Sequence, residues 1–264
     1  MRADAVVLRR HDFGEADRII TLFTENLGKM RAVAKGVRRP TSRLGGHLEL
    51  FSRIQVMLAR GRNLETITQV EMVDPFVGIR DDLWRTGLAY YVAELLDRLT
   101  EEHAENRELY RAVVAALGRI ATSDRPSEAL HHFEVRALDL LGYRPELKVC
   151  VRCRQSLLPH GNAFSAVSGG ILCGNCRVLA AAAPDISANA IRMLRLYLTD
   201  DWSTTLRLRI DSGLAEEVAS ILRVYTHSVA ESALKSDRFV QELRREYNAG
   251  VPLVTSAPTL TEPS

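Results

Sequence analysis

Apolar residues follow two periods along this chain, and the change between them divides it. Up to about residue 74 they alternate with polar ones or form short β-branched runs. From Arg80 onward they recur three and four apart. In the first region Ala5-Val6-Val7-Leu8 is a short apolar run and Arg18–Thr24 is β-branched and aromatic. His11–Glu15 reads as a turn between them. Asn26-Leu27-Gly28 ends the second strand. From Lys29 to Lys35, Met30, Ala32 and Ala34 share one face, and Lys29, Arg31, Val33 and Lys35 the other. Gly36–Gly46 is a loop, Leu48–Ala59 a further strand, Arg60-Gly61-Arg62-Asn63 a hairpin turn, and Leu64–Val73 the returning strand. Five strands in about 74 residues, closed by Asp74-Pro75, fit a five-stranded OB-type barrel, with an SH3-like barrel as the competitor.

Trp84, Leu88, Tyr91, Val92, Leu95 and Leu99 then form a helical stripe that starts near Asp81 or Asp82. With Tyr90 they read as core more readily than as a peptide groove. A charged connection, Thr100–Asn106, leads to a helix marked by Leu109, Val113, Leu117 and Ile120. A third starts at Ser123-Asp124-Arg125-Pro126, runs over Leu130, Phe133, Ala137, Leu138 and Leu141, and stops at Gly142. Phe164–Leu172 reads as a small hairpin around Gly169-Gly170. Helices resume after Ser187, again from about Ser212, and over Phe239–Tyr247. From Ala249 the Pro-, Ser- and Thr-rich composition predicts disorder.

The expected class is therefore α+β: an N-terminal five-stranded OB-type β-barrel followed by a helical domain carrying a four-cysteine zinc element. The expected boundaries are 1–79 for the barrel, 80–149 and 181–248 for the two parts of the helical domain, 150–180 for the cysteine element and 249–264 for the tail. There is no apolar run of about 18 residues to span a membrane. Met1–Arg10 lacks the apolar stretch of a signal peptide, so a reducing, cytoplasmic setting is expected.

A net charge of +2 hides an asymmetry. From Lys29 to Arg62 there are nine basic residues and one acid, Glu49. Several cations within reach of one another suit a phosphate backbone, and an exposed barrel face with its loops is a usual single-strand track. The bland alternative is a solvated charged face. Phe51 is the only aromatic residue in the segment, which favours backbone contacts over base stacking. The best phosphate-contact candidates are Lys35, Arg38, Arg39 and Arg43, with Lys29, Arg31, Arg60 and Arg62 as second choices.

All four cysteines fall in one motif, Cys150-x2-Cys153-x19-Cys173-x2-Cys176. Each x2 spacing turns two thiolates toward one ion, and the long gap lets the two turns meet. Arg152, Arg154 and Arg177 would offset the charge of a tetrathiolate. Two disulfides, a redox pair or an iron–sulfur cluster are the other readings. A closed four-cysteine site leaves no open position, so a zinc ion here is a staple and not a catalyst. His103-Ala104-Glu105 matches the H-x-E of zinc deaminases, but Val149 and Leu172 stand where the proline before the C-x-x-C belongs. His131 and His132 read as neutral surface or helix-edge residues. No phosphate-loop, dinucleotide or nucleophile-elbow motif is present, so neither ATP use nor a covalent nucleophile is expected. A nuclease would need clustered carboxylates or an open metal position. A zinc-stapled RNA- or protein-binding adaptor stays in play.

Several segments resemble the RecO family of bacterial recombination mediators. Toward the N-terminus these are Ala5–Leu8, Asp12–Ile20, Gly28-Lys29, Ala34–Arg39, Ser42-Arg43 and Leu48–Phe51. Further on, Phe133-Glu134, Leu141-Gly142-Tyr143 and Pro145 lead to the first cysteine pair. Phe164-Ser165 and Gly169–Cys173 lead to the second, and Lys235-Ser236 lies before Phe239. The resemblance implies an OB domain, a helical domain and a zinc element, which this chain, with all its cysteines, would fill. It implies a non-enzymatic DNA repair and recombination protein that binds single- and double-stranded DNA and anneals strands without ATP. Its implied partners are single-stranded-DNA-binding protein, often through the acidic tail, and RecR, and through them the RecA recombinase is loaded in the nucleoid.

Overall fold

The computed structural model describes residues 1–178, 180 and 182–248, so the expected disordered tail lies outside the described residues. Five strands, β1 (Arg2–Phe13), β2 (Asp17–Thr24), β3 (Gly28–Ala34), β4 (Arg53–Ala59) and β5 (Glu65–Asp74), close into a barrel in the order β1-β2-β3-β5-β4. That order, with β1 pairing both β2 and β4, is the OB arrangement and not an SH3-like meander. The closing β3–β5 pair is parallel and short, joining only Ala32 to Glu65 and Val33 to Thr66.

Two expected boundaries shift. β1 runs through His11 and Asp12 to Phe13, because Phe13 still pairs with Asp17, and the turn shrinks to Gly14–Ala16. Leu48–Ser52 is not strand. A 3-10 turn at Gly45–His47 precedes it, and buried Phe51 takes a left-handed backbone (φ 65°), donating its N–H to Val7 O at 2.8 Å.

Inside the barrel Ala5, Val7, Ile20, Leu22, Met30, Ile54, Val56 and Ile67 make the core. The other face of β1, Val6 and Leu8, joins Phe23 and Phe51 in a second core shared with the helices. A bulge between Val7 and Arg9 adjusts the register of β1 against β2.

After the short α1 (Val77–Arg80), the helices α2 (Leu83–Leu99), α3 (Arg107–Thr122) and α4 (Pro126–Leu140) pack around Trp84, Leu88, Tyr91, Leu117 and Phe133, as their 3.6 period predicts. The side chains of Asp82 and Asn106 cap α2 and α3 by accepting from the Arg85 and Leu109 N–H groups, and Pro126 opens α4. The hairpin β6 (Ala163–Ser165) and β7 (Gly170–Leu172) and the single turn α5 (Gly174–Arg177) follow. Then come α6 (Ala188–Leu198), α7 (Trp202–Arg207), α8 (Ser212–Val229) and α9 (Lys235–Asn248). The hairpin and helices α6 and α8 share a third core of Leu147, Phe164, Ile171, Leu194, Ile221 and Tyr225. α7 has no apolar stripe to announce it. Asp201 nucleates it by accepting from the Thr204 N–H and the Ser203 and Thr204 hydroxyls, which hold its carboxyl down at about 2. Among the described residues no helix is long and apolar enough to cross a membrane.

Candidate metal centre and nucleic-acid interface

The two cysteine turns meet as their spacing requires. The Sγ atoms of Cys150, Cys153, Cys173 and Cys176 all lie within 4.8 Å of one another. Cys153 Sγ is 3.7 Å from Cys173 Sγ, matching the ~3.8 Å sulfur separation of a tetrahedral tetrathiolate site. The first turn is closed by Cys150 N–H donating to Gln155 O and by Arg154 in a left-handed conformation (φ 61°). Val151 N–H donates to Ile171 O and Ile171 N–H to Glu146 O, both within 3.0 Å, so β7 holds the two turns together. Gly170 is required there, since a Cβ would stand 2.5 Å from Glu146 O. Burial pushes the Cys150 thiol up, but N–H groups of Cys153, Cys173 and Arg152 outweigh it and bring it to about 6. Desolvation and the neighbouring sulfurs push Cys176 up to about 12. Four thiolates this close repel one another, and a divalent cation removes that conflict. The donor set and separations therefore fit a four-coordinate metal site.

The arginines of the turns act otherwise than their positions suggested. Arg154 pairs with Glu146 at 3.3 Å and Arg177 with Asp185, so these guanidinium groups serve carboxylates. Backbone N–H groups face the sulfur instead, as Cys173 N–H does toward Cys150 Sγ at 3.4 Å.

The basic residues of the barrel separate into three groups. Lys35, Arg38, Arg39 and Arg43 leave the end of β3 on an exposed loop at the rim that holds the β1–β2 turn, where Arg38 N–H donates to Ala16 O. Asp17 anchors this loop by accepting from Gly36 N–H at 2.7 Å, and Gly36 turns it with φ 63°. Among the described residues Lys35, Arg39 and Arg43 have no ion pair, while Arg38 lies 3.5 Å from Asp12. A hydrogen bond from Arg18 holds Asp12 below the usual carboxylate range, with Arg38 contributing. Arg18 was not among the sequence candidates, although its place beside the loop follows from its pairing with Ala34.

Arg60 and Arg62 are exposed and without an ion pair among the described residues, but they sit on the opposite rim. β4 runs antiparallel to β1 and ends beside Met1 and Arg2, so its hairpin points away from the β1–β2 turn.

Lys29 and Arg31 form the third group, against the helical domain. Lys29 is buried, correcting its placement on the exposed face. Its ammonium donates to the carbonyl and carboxylate of Asp97 at 2.7 and 3.2 Å, so it cannot reach a phosphate. Arg31 is half-exposed and paired with Glu102 at 2.8 Å.

His131 and His132 are buried, contrary to the surface or helix-edge position expected of them. His131 Nδ1 lies 2.8 Å from Glu134, which also accepts from the Tyr91 hydroxyl. His132 Nδ1 is 3.2 Å from an Arg119 nitrogen, and burial followed by the Arg119 charge lowers its pKa from 6.5 to about 4. The signal for burial was position: both fall within a turn of Phe133 and Leu130 on a helix enclosed by α2, α3, α6 and α8. Beside His132 a groove of about 340 Å³ opens between α3 and α4, lined by Arg111, Arg119, Arg136, Leu140 and the carboxylates of Glu108 and Asp200. His103, the deaminase candidate, is exposed, and its backbone N–H donates to Lys29 O.

Residues 1–76 match the family model described as "Recombination protein O N terminal", and residues 80–238 match "Recombination protein O C terminal". A protein named DNA repair protein RecO from Roseiflexus sp. (strain RS-1) is 39% identical over 251 residues, covering 95% of this chain and 88% of the relative. Proteins of the same name from Dehalococcoides mccartyi (strain ATCC BAA-2266 / KCTC 15142 / 195) and Nocardioides sp. (strain ATCC BAA-499 / JS614) are 35% and 37% identical. They cover 91% of this chain and 95% and 98% of their own lengths.

Proposed function

The chain belongs to the RecO family of DNA repair proteins, and from that membership we propose that it binds single- and double-stranded DNA and anneals complementary strands without ATP. The observation that carries this reading is the Lys35–Arg43 loop: four cations on one barrel rim, three of them without a carboxylate partner among the described residues. Cations held this way neutralise phosphates and release counterions, whatever the sequence. Screening two strands at once leaves base pairing to supply the specificity. Lys35, Arg38, Arg39 and Arg43 are the primary contacts, joined by Arg18. Arg60 and Arg62 extend the path to the far rim.

In the same proposal the protein works in the cytoplasm at the nucleoid, without catalysing covalent chemistry. It acts with RecR to load the RecA recombinase onto strands coated by single-stranded-DNA-binding protein. The groove between α3 and α4, which Glu108 and Asp200 also line and where Arg136 is already paired with Asp139, offers Arg111 and Arg119 to the carboxylates of that protein's acidic, apolar-ended tail and Ala112, Ala115 and Leu140 to its apolar side chains. The barrel, residues 1–79, is the DNA module, and the helices, 80–149 and 181–248, dock partners. The element at 150–180 holds one structural zinc ion through Cys150, Cys153, Cys173 and Cys176.

The test is annealing of two labelled complementary oligonucleotides by the full chain with no nucleotide present. Rapid annealing is expected. Strands left intact, bound and unannealed would favour an adaptor, and shortened or altered strands would make the protein an enzyme.

A further inference from the structure

The barrel closes between β3 and β5 through two paired positions only. Their two paired positions lie toward the C-terminal end of β3, leaving the edge at Gly28–Lys29 to be covered from outside the barrel. The connection between α2 and α3 covers it. Glu102 forms a parallel bridge with Lys29, His103 N–H donates to Lys29 O at 2.8 Å, and Gly28 lies so close to Ala104 that a Cβ would stand 2.3 Å from its carbonyl oxygen. This connection is acidic, with Glu101, Glu102 and Glu105 and no lysine or arginine from Thr100 to Asn106. Backbone hydrogen bonding thus fixes a carboxylate-bearing segment along the strand that joins the two basic rims.

Arg31 stands midway on that strand, half-exposed and facing outward, and the carboxylate opposite it is Glu102 at 2.8 Å. The pair is solvated on both sides, 52% and 43% exposed, so it is worth little and a multivalent anion can displace it. The rims on either side carry Lys35, Arg39 and Arg43 at one end and Arg60 and Arg62 at the other, all without an ion pair among the described residues. A strand of nucleic acid that follows β3 from one rim to the other passes over Arg31.

We infer that Arg31 is a masked phosphate subsite, with Glu102 seated on it as an intramolecular stand-in for the backbone phosphate. The subsite rests on the nucleic-acid reading above. It predicts competition: while the Glu102 carboxylate is present, phosphate reaches Arg31 in only a fraction of the complexes, those in which the strand displaces the Glu102 side chain. The linker backbone stays in place, because its bridge to Lys29 does not depend on that carboxylate.

The test uses the full chain and a fluorescein-labelled single-stranded oligonucleotide long enough to reach both rims, with anisotropy read over salt concentration. Glu102→Gln is expected to bind more tightly at low salt and to steepen the salt slope by up to ~0.7–0.9, the increment of one phosphate contact made in full. Between about 50 and 200 mM salt that is up to about threefold more affinity lost than in the unsubstituted protein. The gain is expected to disappear in the Arg31→Ala, Glu102→Gln double variant. Glu105→Gln removes the same charge from the same segment but pairs with Arg107 and not with β3, so it is expected to change nothing. Equal gains from Glu102→Gln and Glu105→Gln would overturn the subsite in favour of a general charge effect. An unchanged Glu102→Gln protein, alongside weakened Arg38→Ala, Arg39→Ala binding, would overturn the subsite and leave the loop interface standing. Absence of binding by the unsubstituted protein would overturn the nucleic-acid reading itself.

Discussion

The ammonium of Lys29 and the carboxylate of Asp97, 68 residues apart in the chain, join the barrel to the C-terminal end of α2. Lys29 Nζ also donates to the Asp97 carbonyl, supplying a hydrogen-bond partner near the end of a helix, where carbonyls run out of intrahelical donors. Arg9 adds a second cation to Asp97 at 3.1 Å. Lys29 therefore holds two parts of the fold together.

Replacing Lys29 with Met is expected to destabilise the protein by about 2 kcal/mol, since it leaves the buried side of Asp97 without its donor. The melting temperature should fall by about 4–8 °C. DNA affinity of the folded variant should change less than in the Arg38→Ala, Arg39→Ala double variant. Unchanged melting with a flatter salt slope would mean that the ammonium reaches phosphate after all.

Removing Arg38 and Arg39 together is expected to weaken DNA binding and to reduce the salt slope by ~1.4–1.8, two contacts' worth. Both side chains are exposed, so folding should be untouched. Parallel salt titrations of variant and unsubstituted protein provide the check, and superimposable curves would remove the loop from the interface.

His132 makes stability depend on pH. Its folded pKa, about 4, lies below its ordinary 6.5, because burial first and Arg119 second disfavour the cation. Above 6.5 both states hold it neutral and its contribution is fully present. As pH falls from 6.5 toward 4, the unfolded chain takes up a proton that the native chain refuses, and up to about 3 kcal/mol of stability is lost. Urea unfolding at several pH values should show the gap between unsubstituted protein and His132→Gln narrowing over that window. A constant gap would mean that the histidine does not titrate differently on folding.

The cysteine centre is expected to bind about one zinc ion per chain, and Cys173→Ser should lose it to mild chelation. Hydrogen exchange after chelation should show faster exchange at Val151 and Ile171, whose N–H bonds join the first turn to β7, with β1–β4 little affected. Metal analysis of the purified protein is the first check. Retention of a full equivalent by the serine variant would refute four-sulfur ligation.

Much of this was legible from residue order. The alternation in β3 put Met30, Ala32 and Ala34 inside, and the doubled C-x2-C brought four sulfurs together. What could not be read depends on contacts distant in sequence. Lys29 has the period of an exposed residue, and the docking of α2 and of the connection after it buries it. The histidines lie beside apolar residues on α4, but their enclosure depends on several other helices. Arg60 and Arg62 are close in sequence to the basic loop, yet the antiparallel path of β4 carries them to the other rim. Arg154 and Arg177 flank the sulfurs in sequence, while their partners, Glu146 and Asp185, come from outside the cysteine turns.

Val6, Leu8, Phe23 and Phe51 belong to the barrel in sequence and to the helices in packing. A cut near residue 76, where one family match ends, would turn those four side chains toward water and leave Phe51, already in a left-handed conformation, without its edge contact to Tyr90. The barrel is therefore a poor candidate for transplantation. Liberated from its helices it would present a sticky apolar face and self-associate, and a chimera would inherit its DNA loop only by inheriting α2 as well.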